Sequence, residues 1–222
     1  MRMRKLPWAD EYIRQADIVI KEQTKYKGIW KQTLSCDTLH VEIGCGKGDY
    51  LLKMSDLEAD SGWIGIEKDS NVMAIAARKY DRKEQPSEHI AFLLGDAQAL
   101  QEWFAEGEID VLHLNFSDPW PKKRAHKKRL SHASFIAMYQ AVLAQNGEIQ
   151  MKTDNASLFE FSLLQFQEGG WFLHDISVDY RRIEHNEDAI TEYEQRFMEL
   201  KQPIYRAVWK KYPYVNTDKK KR

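Results

Sequence analysis

Few folds accommodate the run Leu39-His40-Val41-Glu42-Ile43-Gly44-Cys45-Gly46-Lys47-Gly48-Asp49. A short apolar, β-rich segment stops at three glycines in alternate positions and gives way at once to helix-forming residues. Glycines at such a junction permit positive φ and let a ligand approach the backbone without a Cβ in the way. The same strand-then-helix order recurs downstream. Strands are predicted at Trp63–Ile66, Ile90–Leu94, Ile109–Phe116 and Glu148–Lys152. Helices are predicted from Asp49, from an Asp69 or Ser70 cap through Lys79, and over Ala97–Phe104. Ser131 is expected to cap the most clearly periodic helix, with Phe135, Met138, Val142 and Leu143 at helical spacing, and Asn146-Gly147 is expected to close it. This alternation implies an α/β fold: a mostly parallel sheet with helices on both faces. Phe172–Asp179 and Ile204–Lys210 read as strands with no helix after each, which fits an antiparallel pair at the sheet edge.

In open parallel sheets ligands sit beyond the carboxyl ends of the strands. The residues just after each strand therefore carry the functional information. A dinucleotide loop needs glycine at the first, third and sixth positions. Here Asp49 stands where the third of those glycines belongs. Its carboxylate would repel a pyrophosphate at the helix start. S-adenosylmethionine has no phosphate; its sulfonium and amino groups are cationic and suit acidic neighbours such as Glu42. The second strand ends at Glu67, nineteen residues after Gly48, where a carboxylate can accept both hydroxyls of a ribose. The third ends in Gly95-Asp96, a carboxylate suited to an adenine amino group. Singly, each reads as an exposed surface acid; three at successive strand ends make one site. Cofactor contacts are thus expected from the glycine loop, Glu42, Glu67 and Asp96. Cys45 reads as a small residue fitted into a tight loop, not as a nucleophile.

The fourth strand ends in Asn115-Phe116-Ser117-Asp118-Pro119-Trp120-Pro121. Two prolines around a tryptophan stiffen the loop and remove two backbone donors. The loop is related in form to the Asp/Asn-Pro-Pro-aromatic loop of methyltransferases that act on base nitrogens. Lys122-Lys123-Arg124-Ala125-His126-Lys127-Lys128-Arg129 follows directly, with six Lys or Arg in eight residues and no acid. Such a run adds nothing to a fold and is usually a solvated face. Tethered to the loop beside a methyl donor, it is explained by a polyanionic substrate, because phosphate contacts supply affinity and position. The fifth strand ends in Lys152-Thr153-Asp154-Asn155, where Asp154 adds a carboxylate at the same edge and Asn155 can cap the next helix.

Composition matters here mainly for what it excludes. A formal net charge of -1 leaves the nucleic-acid reading to local charge alone. No apolar stretch approaches the length of a membrane span, and the N-terminus lacks the apolar centre of a signal peptide, so a cytoplasmic protein is expected. Two cysteines, Cys36 and Cys45, form neither a disulfide framework nor a zinc motif, and no metal is expected. The chain divides into an N-terminal extension and helix over 1–38, a methyltransferase domain over 39–212, and a basic, disordered tail over 213–222. Monomer and homodimer both remain open.

Taken together, Glu42 to Gly48, Asp118 to Arg124, Lys152-Thr153-Asp154 and Thr191-Glu192-Tyr193-Glu194-Gln195-Arg196-Phe197 resemble the bacterial tRNA (guanine-N7)-methyltransferase family. The resemblance spans nearly the whole chain. The Asp-Pro-Trp-Pro-Lys-Lys and Thr-x-Tyr-Glu-x-Arg-Phe segments are its specific parts; the glycine loop is shared with many methyltransferases. It implies the Rossmann-like, seven-stranded class I methyltransferase sheet. It implies that Glu42, Gly44, Gly46, Glu67, Asp96 and Asp118 bind or border S-adenosylmethionine, and that Asp118 is catalytic. It further implies that Lys122, Asp154, Thr191, Glu192, Tyr193 and Glu194 contact the target nucleotide. Arg124, Ala125, His126, Lys127, Lys128 and Arg129 would contact RNA, although Ala125 departs from the basic or histidine residue expected there. The implied substrate is the variable-loop guanine at tRNA position 46.

Two rivals stand beside this reading. A methyltransferase acting on another RNA base or on protein shares the cofactor site; on protein it leaves the basic run unexplained. A non-catalytic RNA-binding module on a Rossmann-like scaffold would not bind S-adenosylmethionine. A nicotinamide oxidoreductase is disfavoured by the glycine spacing.

Overall fold

The computed structural model describes residues 5–211. Its strands are β1 (Val19–Ile20), β2 (Leu39–Ile43), β3 (Gly62–Glu67), β4 (Ile90–Leu94), β5 (Ile109–Asn115), β6 (Leu143–Thr153), β7 (Trp171–Ser177) and β8 (Tyr205–Lys211). The α-helices are α1 (Ala9–Gln15), α2 (Trp30–Thr33), α3 (Asp49–Leu57), α4 (Ser70–Asp81), α5 (Leu100–Trp103), α6 (Ala133–Val142), α7 (Ala156–Glu168) and α8 (Glu192–Glu199). The strands form one sheet in the order β1-β4-β3-β2-β5-β6-β8-β7. Pairing is parallel from β1 to β6, while β8 runs antiparallel to both β6 and β7. The expected antiparallel edge pair is present. An eighth strand was not expected: β1, two residues long and too short to show alternation, pairs with β4 through Val19 and Ile20.

Side-chain alternation in the central strands feeds two cores, one on each face of the sheet. Val41, Ile43, Ile64, Ile66, Ala91 and Leu93 pack with Leu100, Phe135 and Phe166 from α5, α6 and α7. Trp63 and Phe92 pack with Leu51 of α3, Met73 and Ala76 of α4, and Ala9 and Ile13 of α1. The central strands therefore read as near-continuous apolar runs because both of their faces are buried.

Two helix boundaries differ from the sequence reading. His132, not Ser131, caps α6, its Nδ1 accepting from the Ser134 amide, while Ser131 is buried against Ser162 with the two hydroxyl oxygens 2.7 Å apart. The helix also stops at Val142, so Asn146-Gly147 lies inside β6. There the register jumps from Ile109↔Leu143 to Val111↔Glu148, a bulge in β6 that helical periodicity does not reveal. Asp69 and Asn155 cap α4 and α7 as expected. No described helix is long and apolar enough to cross a membrane.

Candidate active site

The chain leaves β2 toward β3 and β4 on one side, then returns to place β5 and β6 on the other. A crevice opens at such a switch point, beyond the carboxyl ends of β2 and β5. Gly44, Gly46 and Gly48 form the loop above β2 with φ of +74°, +58° and +77°, a region that side chains with a Cβ rarely occupy. At Gly48 a Cβ would also lie 3.1 Å from Ala76 Cβ, so glycine lets α4 pack close. The amides of Gly44 and Cys45 both donate to the Ile66 carbonyl, tying this loop to the end of β3.

Glu67 is set by backbone alone. One of its oxygens accepts from the amides of Lys68 (2.8 Å) and Asp69 (2.9 Å), and the other from Gly46 (3.2 Å). Asp96 caps the turn after β4 by accepting from the Gln98 amide at 2.9 Å. Gly44, Glu67, Asp96 and Asp118 line a single cavity of about 410 Å³, together with Phe116, Trp120 and Lys128. Glu42 does not line it. That side chain is buried below the loop, accepting from Asn115 Nδ2 at 3.0 Å, with its second oxygen unpartnered among the described residues. Burial pushes its carboxyl up to about 7, against the pull of the Asn115 hydrogen bond and of Lys152. Burial also pushes the Cys45 thiol well above its ordinary value, which keeps it protonated and unreactive.

Asp118 sits exposed at the cavity wall and makes no hydrogen bond or ion pair among the described residues. Its loop bends through the left-handed region twice, at Phe116 (φ +49°) and Trp120 (φ +39°). The Phe116 amide donates to the Lys152 carbonyl at 2.8 Å. Trp120 carries Lys128 Nζ 4.7 Å and Lys68 Nζ 5.9 Å from its ring centroid. The basic run forms a short 3-10 turn over Lys123–Lys128. Lys122, Lys123, Arg124, Lys127 and Lys128 are exposed, and Ala125 and His126 half-buried. Arg129, expected to contact RNA with its neighbours, is instead buried.

On the other side of Asp118, Tyr193 is exposed and Phe197 half-buried, and both rings pack near Phe116. Thr191 and Glu194 close a capping box at the start of α8, each bonding the other's backbone amide. Glu194, expected at the target nucleotide, is fully buried and already engaged. It accepts from Arg181 at 2.8 and 3.0 Å and from Lys152 at 3.3 Å. Asp188 joins the same cluster through Lys152 (2.8 Å), Arg181 (2.5 Å) and the Tyr50 hydroxyl (2.9 Å). Burial opposes the charge on Arg181, but Glu194 and Asp188 outweigh it and hold its guanidinium above the ordinary value. Asp154 is half-buried at the end of β6, and Lys122 follows the Asp118 loop. The structure describes the backbone of Glu192 at the first position of α8.

Arg181, Asp188, Tyr50 and the buried pair His40 and His113, whose ring nitrogens are 3.0 Å apart, escaped the sequence reading. Burial pushes both imidazoles down, His40 to about 4, so they are neutral at pH 7. No local pattern marks these residues. The one available signal was Lys152, a lysine ending an otherwise apolar strand. Among the described residues no group of His, Cys, Asp and Glu is arranged to hold a metal ion.

A family model described as "Putative methyltransferase" matches residues 37–207. The chain is 41% identical to the tRNA (guanine-N(7)-)-methyltransferase of Bacillus velezensis, over 93% of this chain and 95% of that protein. It is 41% identical to the enzyme of the same name from Bacillus subtilis, over 93% and 97%. The chain belongs to the tRNA (guanine-N7)-methyltransferase family.

Solved structures give the fold independently. An antibiotic-related methyltransferase superposes with a TM-score of 0.62 at 13% identity, covering 80% of this chain and 90% of that one. The 16S rRNA methyltransferase KamB superposes with a TM-score of 0.60 at 16% identity, covering 81% and 90%. Within the family's shared frame, the segments that carried the resemblance meet at one sheet edge: the glycine loop, the Asp118 loop and the start of α8.

Proposed function

We propose that this protein transfers the methyl group of S-adenosylmethionine to N7 of a guanine in tRNA, the variable-loop guanine at position 46. One observation carries the reading: Gly44, Glu67, Asp96 and Asp118 share a cavity whose rim includes Lys128 of the basic run. The volume suits a cofactor of this size. Three carboxylates suit a ligand that is cationic and bears a ribose diol, and the glycine loop presents backbone in place of side chain. When bound, S-adenosylmethionine supplies an electrophilic methyl group.

Guanine N7 holds an in-plane lone pair and no proton, so no general base is required. What remains for the protein is positioning and charge. Asp118, without a hydrogen-bond or ion-pair partner among the described residues and beside the cavity, can accept from the N1–H and N2–H₂ donors of guanine. Adenine lacks those donors, which makes Asp118 a source of base choice as well. Its negative charge also stabilises the positive charge the base acquires on methylation. Tyr193 and Phe116 offer aromatic faces to a base turned out of its stack. The exposed cations from Lys122 to Lys128 hold the phosphates, and Asp154 borders the nucleotide. A tRNA substrate fits a cytoplasmic protein.

The test is nucleoside mass spectrometry of bulk tRNA after incubation with the protein and labelled S-adenosylmethionine. We expect label in 7-methylguanosine, mapping to the variable loop. Label on another base would redirect the specificity. Salt-sensitive tRNA binding without any methyl transfer or cofactor binding would favour a non-catalytic RNA-binding module.

A further inference from the structure

Arg129 ends the basic run, yet its surroundings differ from those of every other cation in it. The residue is 2% exposed. Its guanidinium lies 4.5 Å from the Phe161 ring centroid, and Nε donates to the Pro119 carbonyl at 2.8 Å. It forms no ion pair among the described residues. A phosphate contact needs a cation that reaches solvent; Arg129 instead spends its donor on the residue directly after Asp118.

That loop needs holding. Phe116 and Trp120 both lie in the left-handed region, which is strained for a non-glycine residue. Such a conformation persists only where the surroundings over-determine it. The Lys152 carbonyl fixes the loop at Phe116, and the lysines over Trp120 restrain its far side. Between them Pro119 has no amide to offer, so the backbone there can be held only through its carbonyl. A guanidinium donor makes that bond charge-assisted and directional.

We propose that Arg129 is a positioning residue that holds the Asp118–Trp120 turn in shape through the Pro119 carbonyl, and that the exposed cations of the run alone carry the RNA contacts. The proposal rests on the reading of Asp118 given above. It splits one charged stretch into two tasks, with the anchor adjacent in sequence to Lys128.

Arg129→Lys keeps the charge but loses the planar Nε–H, and it carries the test should Arg129→Ala not fold. Lys127→Ala serves as the reference for a phosphate contact. Three measurements are needed: amide hydrogen exchange of the free protein, kcat and KM with tRNA, and the salt dependence of tRNA binding. For R129K we expect exchange at Phe116, Ser117, Asp118 and Trp120 to quicken about tenfold, with α3 and α4 unchanged. We also expect kcat to fall about 10–100-fold, with KM for tRNA and the salt slope as in wild type. Lys127→Ala should lower the salt slope by about 0.7–0.9 and leave loop exchange alone. The proposal is overturned if R129K lowers the salt slope as K127A does, or if loop exchange stays at the wild-type rate. Loop exchange needs no substrate, so it judges Arg129 even if the wild-type protein labels no tRNA guanine, a result that would instead remove the proposed reaction.

Discussion

The two sides of the cavity are built on different scales. On the side of β2, β3 and β4, the carboxylates proposed to meet the cofactor are held largely by near neighbours: Glu67 by the two amides after it, Asp96 by Gln98. On the side of β5, β6 and α8, distant parts meet. Lys152 reaches Asp188 and Glu194, Tyr50 reaches Asp188, and Phe116 packs against Tyr193. The first side is a set of local caps that form wherever the strands end correctly. The second depends on a buried charge cluster in which every member must be present, because a buried charge left alone is far costlier than the pair is stabilising.

Removing Lys152 should give the largest effect. Lys152→Met leaves Asp188 and Glu194 with Arg181 as their only cation among the described residues, and we expect a loss of about 3–5 kcal/mol in urea denaturation. S-adenosylmethionine affinity of the folded fraction should persist; its collapse would break the contrast between the two sides. Next comes Asp118→Ala, expected to lower methyl transfer about 10²–10³-fold with unchanged thermal stability, since this carboxylate supports nothing internally. Turnover at the wild-type rate would remove its assigned role.

Glu42 lies at the seam between the two sides, and its effect depends on pH. Burial lifts its carboxyl from 4.5 to about 7, so the folded state keeps a proton that the unfolded chain releases. Its stabilising share is complete below about 4.5 and is lost as pH rises through 7, an amount of about 3 kcal/mol. His40, lowered to about 4, acts in reverse: its share is complete above 6.5 and is lost as pH falls toward 4. Comparing wild type with Glu42→Gln cancels the histidine share. Unfolding free energies measured from pH 4.5 to 8 should shift progressively in favour of the variant, and a pH-independent difference would contradict the raised value. Smallest of the four is Glu67→Ala. Calorimetry should show S-adenosylmethionine binding weakened about 10–100-fold, with tRNA affinity intact.

Much of this division was legible beforehand. The strand ends, glycine loop and N-caps at Asp69 and Asn155 follow from period, turn chemistry and short-range hydrogen bonding, all of which are written in consecutive residues. The basic run was equally visible, but its last member was assigned with its neighbours, because sequence alone does not tell a buried arginine from an exposed one. Glu194 was assigned to the target nucleotide through the family resemblance; its pairing with Lys152 and Arg181 was not visible, because those partners lie far away along the chain. β1 and the bulge in β6 went unseen because strand pairing, rather than local pattern, creates them.

By itself, then, the amino-acid order determined the layered α/β plan, the glycine loop and strand-end carboxylates and the cationic stretch beside them, since each rests on neighbours along the chain. Only the tertiary structure decided which charges face solvent and which are locked together beneath it. Burial sets the cost of a charge, and burial depends on elements far apart in sequence that meet only in the folded molecule.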